Sequence, residues 1–438
     1  MNIQLGINYE DLLTKFIAFK SISADSKHNK NSQNCANWLA EILNNAGFIT
    51  TLWTKSPANP VIYASYVSKP KAKTILIYGH YDVQPAKKSD GWATEPFRLT
   101  KRSNRYYGRG VMDNKGQILI HIYTALKLLE EKKLNVNLKF LIEGNEEADT
   151  GSLTKIVVEH SEELNCDHII ISDGDIIDNH PVIEAGLRGV CNATLVYKTA
   201  NTAVHSGSYG NTIPNAAHEL SRLINKLFDD DEDIIIPGFY ADVPKEVLTA
   251  LPETFEKLNK KIGIKKLFLK DNDTFHNKTG NLPALVVTGI QSGYVGAGYA
   301  NIVPNTATLN FNLRFGQEQS PEKIINSVKT FIKKATPKYV DYELTFTGFV
   351  KATRFNLNTT FVKRVTKALE AIYQQPLITK YVGGTLPIVN VFSEYLHSDP
   401  VSIPLANNDS NMHGINENLT IESIELGLKF SEWLLTQN

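Results

Sequence analysis

The chain has 438 residues, which is too long for one ordinary hydrophobic core, so two or three domains are expected. Its 46 Lys and Arg residues balance its 46 Asp and Glu residues, so no net charge would attract a nucleic acid or an anionic membrane. The three cysteines, Cys35, Cys166 and Cys191, are widely spaced, which is typical of reduced thiols. The N-terminal residues lack a basic start and a long apolar run. We therefore expect a cytoplasmic protein without nucleic-acid or membrane partners.

The first predicted elements are two helices followed by two strands. Asn8 can cap the first helix, because its side chain can accept a hydrogen bond from the first turn. Ser32 is predicted to cap the second helix, which ends at Gly47, the usual residue for a helix C-terminus. Strand-like apolar runs follow at 48–53 and 61–67.

A third apolar run, at 74–79, predicts a buried strand, and His80 and Asp82 follow it directly. A histidine that binds a metal usually donates its second ring N–H to a carboxylate. This spacing therefore suits a metal ligand and the group that orients it. A single His-x-Asp pair is more often an ordinary polar turn, so the metal interpretation depends on the rest of the chain.

The same arrangement occurs twice more. An apolar run at 137–142 predicts a strand, and Glu146 and Glu147 follow it. Another run at 168–172 is followed by Asp173. Polar, acidic side chains thus come just after three separate strands.

Strands that alternate with helices predict an α/β fold, with a mixed, mostly parallel sheet flanked by helices. In such sheets the functional groups collect at the carboxyl ends of the strands. Asp113, in a glycine-flanked loop before a predicted helix at 117–131, can join them there. Gathered carboxylates repel one another unless cations neutralise them. The sequence therefore predicts a site for one metal ion or, better, two.

The pattern changes after residue 186. Residues 187–347 predict a β-α-β-β-α-β order, which is typical of a ferredoxin-like α+β domain. The predicted elements lie at 189–198, 214–228, 284–289, 306–315, 321–334 and 342–346. Residues 229–283 form an irregular insertion. The α/β pattern returns at 348–438, so we predict a catalytic domain built from 1–186 and 348–438 with the smaller domain inserted into it. His413 lies in a polar stretch of the second part.

Three motifs carry a resemblance to a known family: Gly-His-Tyr-Asp-Val-Gln-Pro at 79–85, Gly-Arg-Gly-Val-Met-Asp-Asn-Lys-Gly at 108–116 and Glu-Gly-Asn-Glu-Glu at 143–147. They are very similar to the co-catalytic zinc exopeptidase family, which includes glutamate carboxypeptidase, aminoacylase and succinyl-diaminopimelate desuccinylase. Leu187-Arg188-Gly189 and Gly-Gly-Thr-Leu-Pro at 383–387 resemble the carnosine and Cys-Gly dipeptidase branch. The resemblance implies the zinc exopeptidase fold, with the inserted domain acting as a lid and dimerisation domain.

The resemblance implies two divalent metal ions in each subunit, with zinc expected and manganese or cobalt as alternatives. His80 and Asp173 would bind one ion, Glu147 and His413 would bind the other, and Asp113 would bridge both. The resemblance also implies a cis peptide bond between Asp113 and Asn114.

The resemblance also implies catalytic roles. Asp82 would orient His80, and Glu146 would be the general base that takes a proton from a water shared by the metals. His205 would donate to the oxyanion of the neighbouring subunit in a homodimer formed through the lid domain. Arg314 would bind the free carboxylate of the substrate, and Gly384 and Thr385 would line its pocket.

The expected activity is hydrolysis of the amide bond of dipeptides or small C-terminal peptides. One departure from the dipeptidase branch leaves an alternative open. Val382 stands where an acidic residue is expected, and an acid there could hold the ammonium group of a substrate. An N-acyl-amino-acid amidohydrolase with the same metals is therefore the second hypothesis. The third, an inactive metal-stabilised binding protein, is disfavoured because Glu146 is present.

Overall fold

The computed structural model describes residues 8–55, 58–148, 151–243, 255–269 and 274–437. The chain forms two compact units. Unit 1 comprises Met1–Glu184, Phe355–Thr379 and Ile388–Asn438, and unit 2 comprises Ala185–Arg354 and Lys380–Pro387. Unit 2 also includes residues 185–186, residues 348–354 and the segment Lys380–Pro387, all of which the sequence analysis assigned to the catalytic domain.

The α-helices are α1 (Tyr9–Ala18), α2 (Asn29–Asn45), α3 (Lys115–Glu130), α4 (Ser152–Glu159), α5 (Ser161–Leu164), α6 (Ser206–Tyr209), α7 (Ala216–Asn225), α8 (Phe255–Ile262), α9 (Phe275–Gly280), α10 (Pro321–Ala335), α11 (Thr360–Tyr373), α12 (Ile388–Tyr395) and α13 (Ile421–Leu435). The strands are β1 (Ile49–Trp53), β2 (Val61–Tyr66), β3 (Thr74–His80), β4 (Thr100–Arg102), β5 (Arg105–Tyr107), β6 (Asn137–Glu143), β7 (His168–Ile171), β8 (Val182–Leu187), β9 (Gly189–Lys198), β10 (Val204–His205), β11 (Ala284–Ser292), β12 (Ile302–Val303), β13 (Thr306–Phe315), β14 (Asp341–Val350), β15 (Thr353–Arg354), β16 (Ile378–Val382), β17 (Pro400–Ser402) and β18 (Asn418–Thr420).

A six-stranded sheet forms the centre of unit 1, in the order β1-β2-β6-β3-β7-β17. Strands β6, β3, β7 and β17 are parallel, and β1 and β2 are antiparallel additions at one edge. Strand β3 is almost wholly buried because its Ile and Leu side chains meet apolar neighbours on both faces. The predicted α/β fold with a mixed, mostly parallel sheet is confirmed. Because β6, β3 and β7 are neighbours, their carboxyl ends lie side by side.

Of the two capping residues predicted for the N-terminal helices, one is confirmed and the other is wrong. The Asn8 side chain accepts a hydrogen bond from the backbone N–H of Asp11 at 2.8 Å, so Asn8 caps α1 as expected. Ser32 does not cap α2, which already begins at Asn29. A short 3-10 turn capped by Asp25 leads into α2 one turn earlier, and the Ser32 hydroxyl instead donates to the carbonyl of His28 at 3.4 Å.

Unit 2 contains a four-stranded antiparallel sheet in the order β11-β13-β9-β14. Helices α7 and α10 pack on this sheet through one apolar core that includes Leu195, Leu220, Leu309 and Ile324. The sequence order of these elements is β-α-β-β-α-β, as in a ferredoxin-like domain. Parts of the predicted insertion at 229–283 lie outside the described residues, and its described parts include α8 and α9. None of the described helices is both long and apolar enough to cross a membrane.

Candidate metal centre

The ends of three neighbouring strands supply most of the centre. His80 is the last residue of β3, and it lies beside Glu143, the last residue of β6. A 3-10 turn at Glu146–Ala148 follows β6 and carries both glutamates. Asp173 comes just after β7. This is the arrangement expected of parallel strands, whose carboxyl ends meet at one edge of the sheet.

Two further residues reach this edge from loops. Asp113 precedes α3, and its peptide bond to Asn114 is cis. His413 lies between β17 and β18, with a positive φ of 57°. The Asn114 side chain connects two strand ends, since its Nδ2 donates to the carbonyl of Ser172 at 2.7 Å and its Oδ1 faces the backbone N–H of His80 at 3.4 Å.

The structure brings all five expected metal ligands together in two groups that share Asp113. In the first group, Nε2 of His80 lies 3.0 Å from Oδ1 of Asp113 and 3.4 Å from Oδ2 of Asp173. In the second group, Nε2 of His413 lies 2.8 Å from Oδ2 of Asp113 and 3.3 Å from Oε2 of Glu147. Within each group the possible ligand atoms all lie within 4.8 Å of one another. Each oxygen of Asp113 therefore serves a different group.

The electrostatics of the cluster fit a pair of cations. Burial lowers the pKa of His80, but hydrogen bonds with Asp113, Asp173 and Asp82 outweigh it and hold that pKa well above its ordinary value. Hydrogen bonds with Asp113 and Glu147 raise the pKa of His413 to about 10. The carboxylates thus stabilise positive charge on both sides of Asp113. Nitrogen and oxygen donors in this mixture suit zinc, manganese or cobalt, so the residues present fit the two ions that the sequence predicts.

Asp82 contacts His80 and also the turn that carries Glu146 and Glu147. Nδ1 of His80 lies 3.1 Å from the backbone carbonyl of Asp82 and 3.4 Å from its Oδ1. The carboxylate accepts hydrogen bonds from the backbone N–H groups of Glu146, at 3.2 Å, and of Glu147, at 3.0 Å. It also accepts from the hydroxyl of Ser23 at 2.6 Å. Asp82 therefore contacts His80 and also fixes the turn that carries both glutamates.

Glu146 has the environment of an acid–base group. Among the residues that the structure describes, its carboxylate has no hydrogen-bond or ion-pair partner. Burial raises the pKa of Glu146 well above its usual range; His80 opposes this shift, and the charges of Asp173 and Asp113 add to it. The carboxylate of the adjacent Glu147 instead accepts from Nε2 of Gln84 at 2.6 Å and faces His413. The two neighbouring glutamates thus have distinct surroundings.

Gly144 lets the glutamate turn approach the sheet. A Cβ atom at this position would lie 2.2 Å from the hydroxyl of Tyr81, which packs against the glycine and donates to the carbonyl of Pro60 at 2.8 Å.

Glu417, which no sequence motif indicated as a site residue, is fully buried beside the loop that carries Asp113. Its Oε1 accepts from the backbone N–H groups of Met112, at 2.9 Å, and Asp113, at 3.1 Å. Its Oε2 accepts from the backbone N–H of Gly110 and from Nη1 of Arg109. A glutamate four residues after His413 in a polar loop gives no sequence signal of this role.

The other four predicted site residues, His205, Arg314, Gly384 and Thr385, belong to unit 2. Nη1 of Arg314 donates to the hydroxyl of Thr385 at 3.1 Å, and exposed Gly384 lies in the same turn. His205 is exposed at the end of β10, where its Nδ1 accepts from the backbone N–H of Gly207 at 3.1 Å. Within unit 2, Arg314 and Thr385 are in direct contact.

Two ligand groups that share a carboxylate at the edge of an α/β sheet define a candidate two-metal hydrolase centre. A sequence model of the Peptidase family M20/M25/M40 matches residues 76–437, and the chain belongs to this family.

Curated and solved relatives cover nearly the whole chain. A cysteinylglycine-S-conjugate dipeptidase of Corynebacterium striatum is 29% identical over 446 residues, covering 99% of this chain and 97% of the relative. The structure of human carnosine dipeptidase 1 has a TM-score of 0.84 and 25% identity, covering 98% of this chain and 95% of that chain. The structure of the M20 metallo-carboxypeptidase Sso-CP2 of Sulfolobus solfataricus has a TM-score of 0.83 and 29% identity, covering 98% of this chain and 99% of that chain.

Proposed function

We propose that this protein is a two-metal dipeptidase. The observation that carries the proposal is the pair of ligand groups on either side of Asp113, with the unpartnered carboxylate of Glu146 at the same edge of the sheet. The names of the relatives support this class of substrate, since they include a cysteinylglycine-S-conjugate dipeptidase and a carnosine dipeptidase.

In this proposal His80 and Asp173 hold one ion, Glu147 and His413 hold the other, and Asp113 holds both. When bound, the two ions would lower the pKa of a water molecule and polarise the amide carbonyl of the substrate. The donor set accepts zinc, which we propose as the native metal, with manganese and cobalt as alternatives.

Glu146 would carry the proton in both halves of the reaction. Its carboxylate, which makes no hydrogen bond or ion pair with the described residues, is able to accept a proton from the attacking water and then donate it to the leaving amine. Asp82 would support this role by holding the backbone of the glutamate turn. Arg314, positioned by Thr385, would bind the C-terminal carboxylate of the dipeptide, and Gly384 would line the same pocket.

A homodimer through unit 2 would complete the site with His205 of the partner subunit, which would donate to the oxyanion. The edge strand β11 supports such an interface, because Val286 and Ile290 on it are exposed, as are Val295 and Tyr299 in the following loop. Measuring the mass in solution tests the dimer, and Ile290→Lys should produce monomers. The three free cysteines support a reducing, cytoplasmic compartment.

The N-acyl-amino-acid amidohydrolase remains a second candidate because Val382 removes the expected acid. Turnover of dipeptides and of their N-acetylated forms, each measured with zinc, manganese or cobalt and after chelation, separates the two functions. Faster cleavage of the free dipeptides supports the dipeptidase. Faster cleavage of the acetylated forms favours the amidohydrolase, and activity that survives complete metal removal excludes both.

A further inference from the structure

Arg188 is a second arginine at the turn that holds Thr385. It lies between β8 and β9, and its backbone N–H donates to the carbonyl of Val382 at 3.1 Å. Its side chain donates from Nη1 to the carbonyl of Leu282 at 3.1 Å and from Nε to the carbonyl of Gly383 at 3.4 Å. A Cβ atom at Gly383 would lie 2.4 Å from the backbone carbonyl oxygen of Thr279 and 2.7 Å from Nη2 of Arg188, so glycine allows both groups to approach the turn.

Arg188 and Arg314 are connected through one hydroxyl. The Thr385 hydroxyl donates to the backbone carbonyl of Arg188 at 2.6 Å and accepts from Nη1 of Arg314 at 3.1 Å. The two charges also interact, because burial and the charge of Arg314 lower the pKa of Arg188 to about 10. Unit 2 therefore places two half-buried cations around one short turn.

Neither cation is neutralised by the protein. Among the described residues, no carboxylate pairs with Arg188 or Arg314, and the Nη2 atom of each has no acceptor. The buried Arg109 of unit 1 differs, because Glu417 binds it at 2.8 Å. A structural arginine that is buried is normally paired in this way. The position next to the turn that could have supplied an acid is occupied by Val382.

We propose that Arg188 and Arg314 together form a subsite for a dicarboxylate, so that the enzyme selects dipeptides whose C-terminal residue is aspartate or glutamate. The inference rests on the proposed function, in which Arg314 binds the α-carboxylate. Arg188 then binds the side-chain carboxylate through its free Nη2. The second negative charge of the ligand neutralises the second guanidinium, and a charge-assisted hydrogen bond of this kind discriminates strongly against a neutral isostere.

The test compares Ala-Glu with Ala-Gln, which differ only in the charge of the side chain. In the metal-loaded wild type, we expect kcat/KM for Ala-Glu to exceed that for Ala-Gln by about tenfold or more. Arg188→Gln should lower kcat/KM for Ala-Glu by about tenfold and change Ala-Gln by less than about twofold. Arg222→Gln, which removes an exposed positive charge from the same unit, should leave the preference unchanged.

Two kinetic results would overturn the subsite: equal cleavage of the two peptides by the wild type, or an equal loss for both peptides in Arg188→Gln. The second result would mean that Arg188 only braces the turn. Calorimetry with L-glutamate and L-glutamine separates this proposal from the dipeptidase itself. Tighter binding of glutamate that disappears in Arg188→Gln supports the subsite even if neither peptide is cleaved, and equal binding of the two amino acids by the wild type refutes it.

Discussion

The carboxylate of Glu417 accepts a hydrogen bond from the backbone N–H of Asp113 at 3.1 Å, across 304 residues of sequence. The same carboxylate binds three more donors, including the guanidinium of Arg109. The residue proposed to bridge two metals therefore sits on a loop whose shape is set by a buried ion pair. Burial raises the pKa of Glu417, while the charge of Arg109 and the backbone donors lower it by a smaller amount.

Glu417→Ala should weaken metal binding and destabilise the fold. The substitution leaves the buried Arg109 without a carboxylate partner, with only the backbone carbonyls of His413 and Gly414 as acceptors, and loss of one member of a buried ion pair typically costs about 3–5 kcal/mol of unfolding free energy. Because the Asp113 loop loses its acceptor, metal affinity should fall by about tenfold to a hundredfold. Urea denaturation and metal titration measure the two effects. Glu425→Gln, an exposed substitution on α13, is the control, and unchanged metal affinity in Glu417→Ala would show that the loop keeps its shape alone.

Asp82→Asn should remove hydrogen bonds to the glutamate turn while keeping the size of the side chain. The amide has nearly the same shape, but its NH₂ group must face a backbone N–H that now lacks an acceptor. We expect the ion held by Glu147 and His413 to bind about tenfold to a hundredfold more weakly. Titration with the metal, followed by the amount bound per chain, reports this loss. Exposed Asp399→Asn should behave like the wild type, and full metal binding by Asp82→Asn would contradict the role assigned here.

Substitutions of the neighbouring residues Glu146 and Glu147 should have different effects on hydrolysis and on metal binding. Glu146→Gln removes the proposed proton carrier but no proposed ligand, so hydrolysis should fall by about 10²- to 10⁴-fold while the bound metal stays constant. Glu147→Gln removes a proposed ligand oxygen next to His413, so metal affinity itself should fall.

Dipeptide turnover and metal content, measured on the same samples, distinguish these outcomes. Glu162→Gln on the exposed side of α5 serves as the matched control. Equal turnover by the wild type and Glu146→Gln would remove the general base from the mechanism.

His121 should make the protein less stable in mild acid. It is fully buried, and its ring lies between the hydroxyls of Ser431, at 3.0 Å, and Ser172, at 2.9 Å. Burial lowers its pKa from 6.5 to about 3. In the unfolded chain the imidazole of His121 therefore binds a proton near pH 6.5, whereas in the folded protein it stays neutral. The free energy of unfolding consequently falls as the pH decreases below about 6.5.

The expected loss from this one group is about 2 kcal/mol between pH 7 and pH 5. Urea denaturation of the wild type and His121→Asn, both with a chelator so that metal release does not contribute, measures it. The variant should be less stable at pH 7 but should have the flatter dependence on pH. Parallel curves would show that the imidazole is protonated in the folded state.

The local features of the fold could be predicted because they depend on neighbours in sequence. Apolar runs predicted β3, β6 and β7, and the chemistry of parallel strand ends predicted that His80, Glu147 and Asp173 would meet. Even local prediction failed at Ser32, where an earlier turn capped by Asp25 began the helix instead. A serine cannot reveal by itself which of two competing turns the helix will use.

His413 could be predicted as a ligand from the family resemblance but not from the local pattern of the sequence. It lies in a polar loop with no strand before it, so only its resemblance to a family motif suggested it as a ligand, and the structure places it 2.8 Å from Asp113. Glu417 has no comparable signal. A glutamate in a loop is an ordinary surface residue in a sequence, and only its partners in the structure identify it.

The sequence by itself predicted which residues could hold metal ions and which of them stand at the ends of strands. Only the tertiary structure decided how they are held, because those hydrogen bonds join residues that are far apart in the chain. Asp82 binds the turn of Glu146 and Glu147 across more than sixty residues, with separations of 64 and 65. Such contacts follow from the path of the whole backbone, and no local pattern of side chains specifies them.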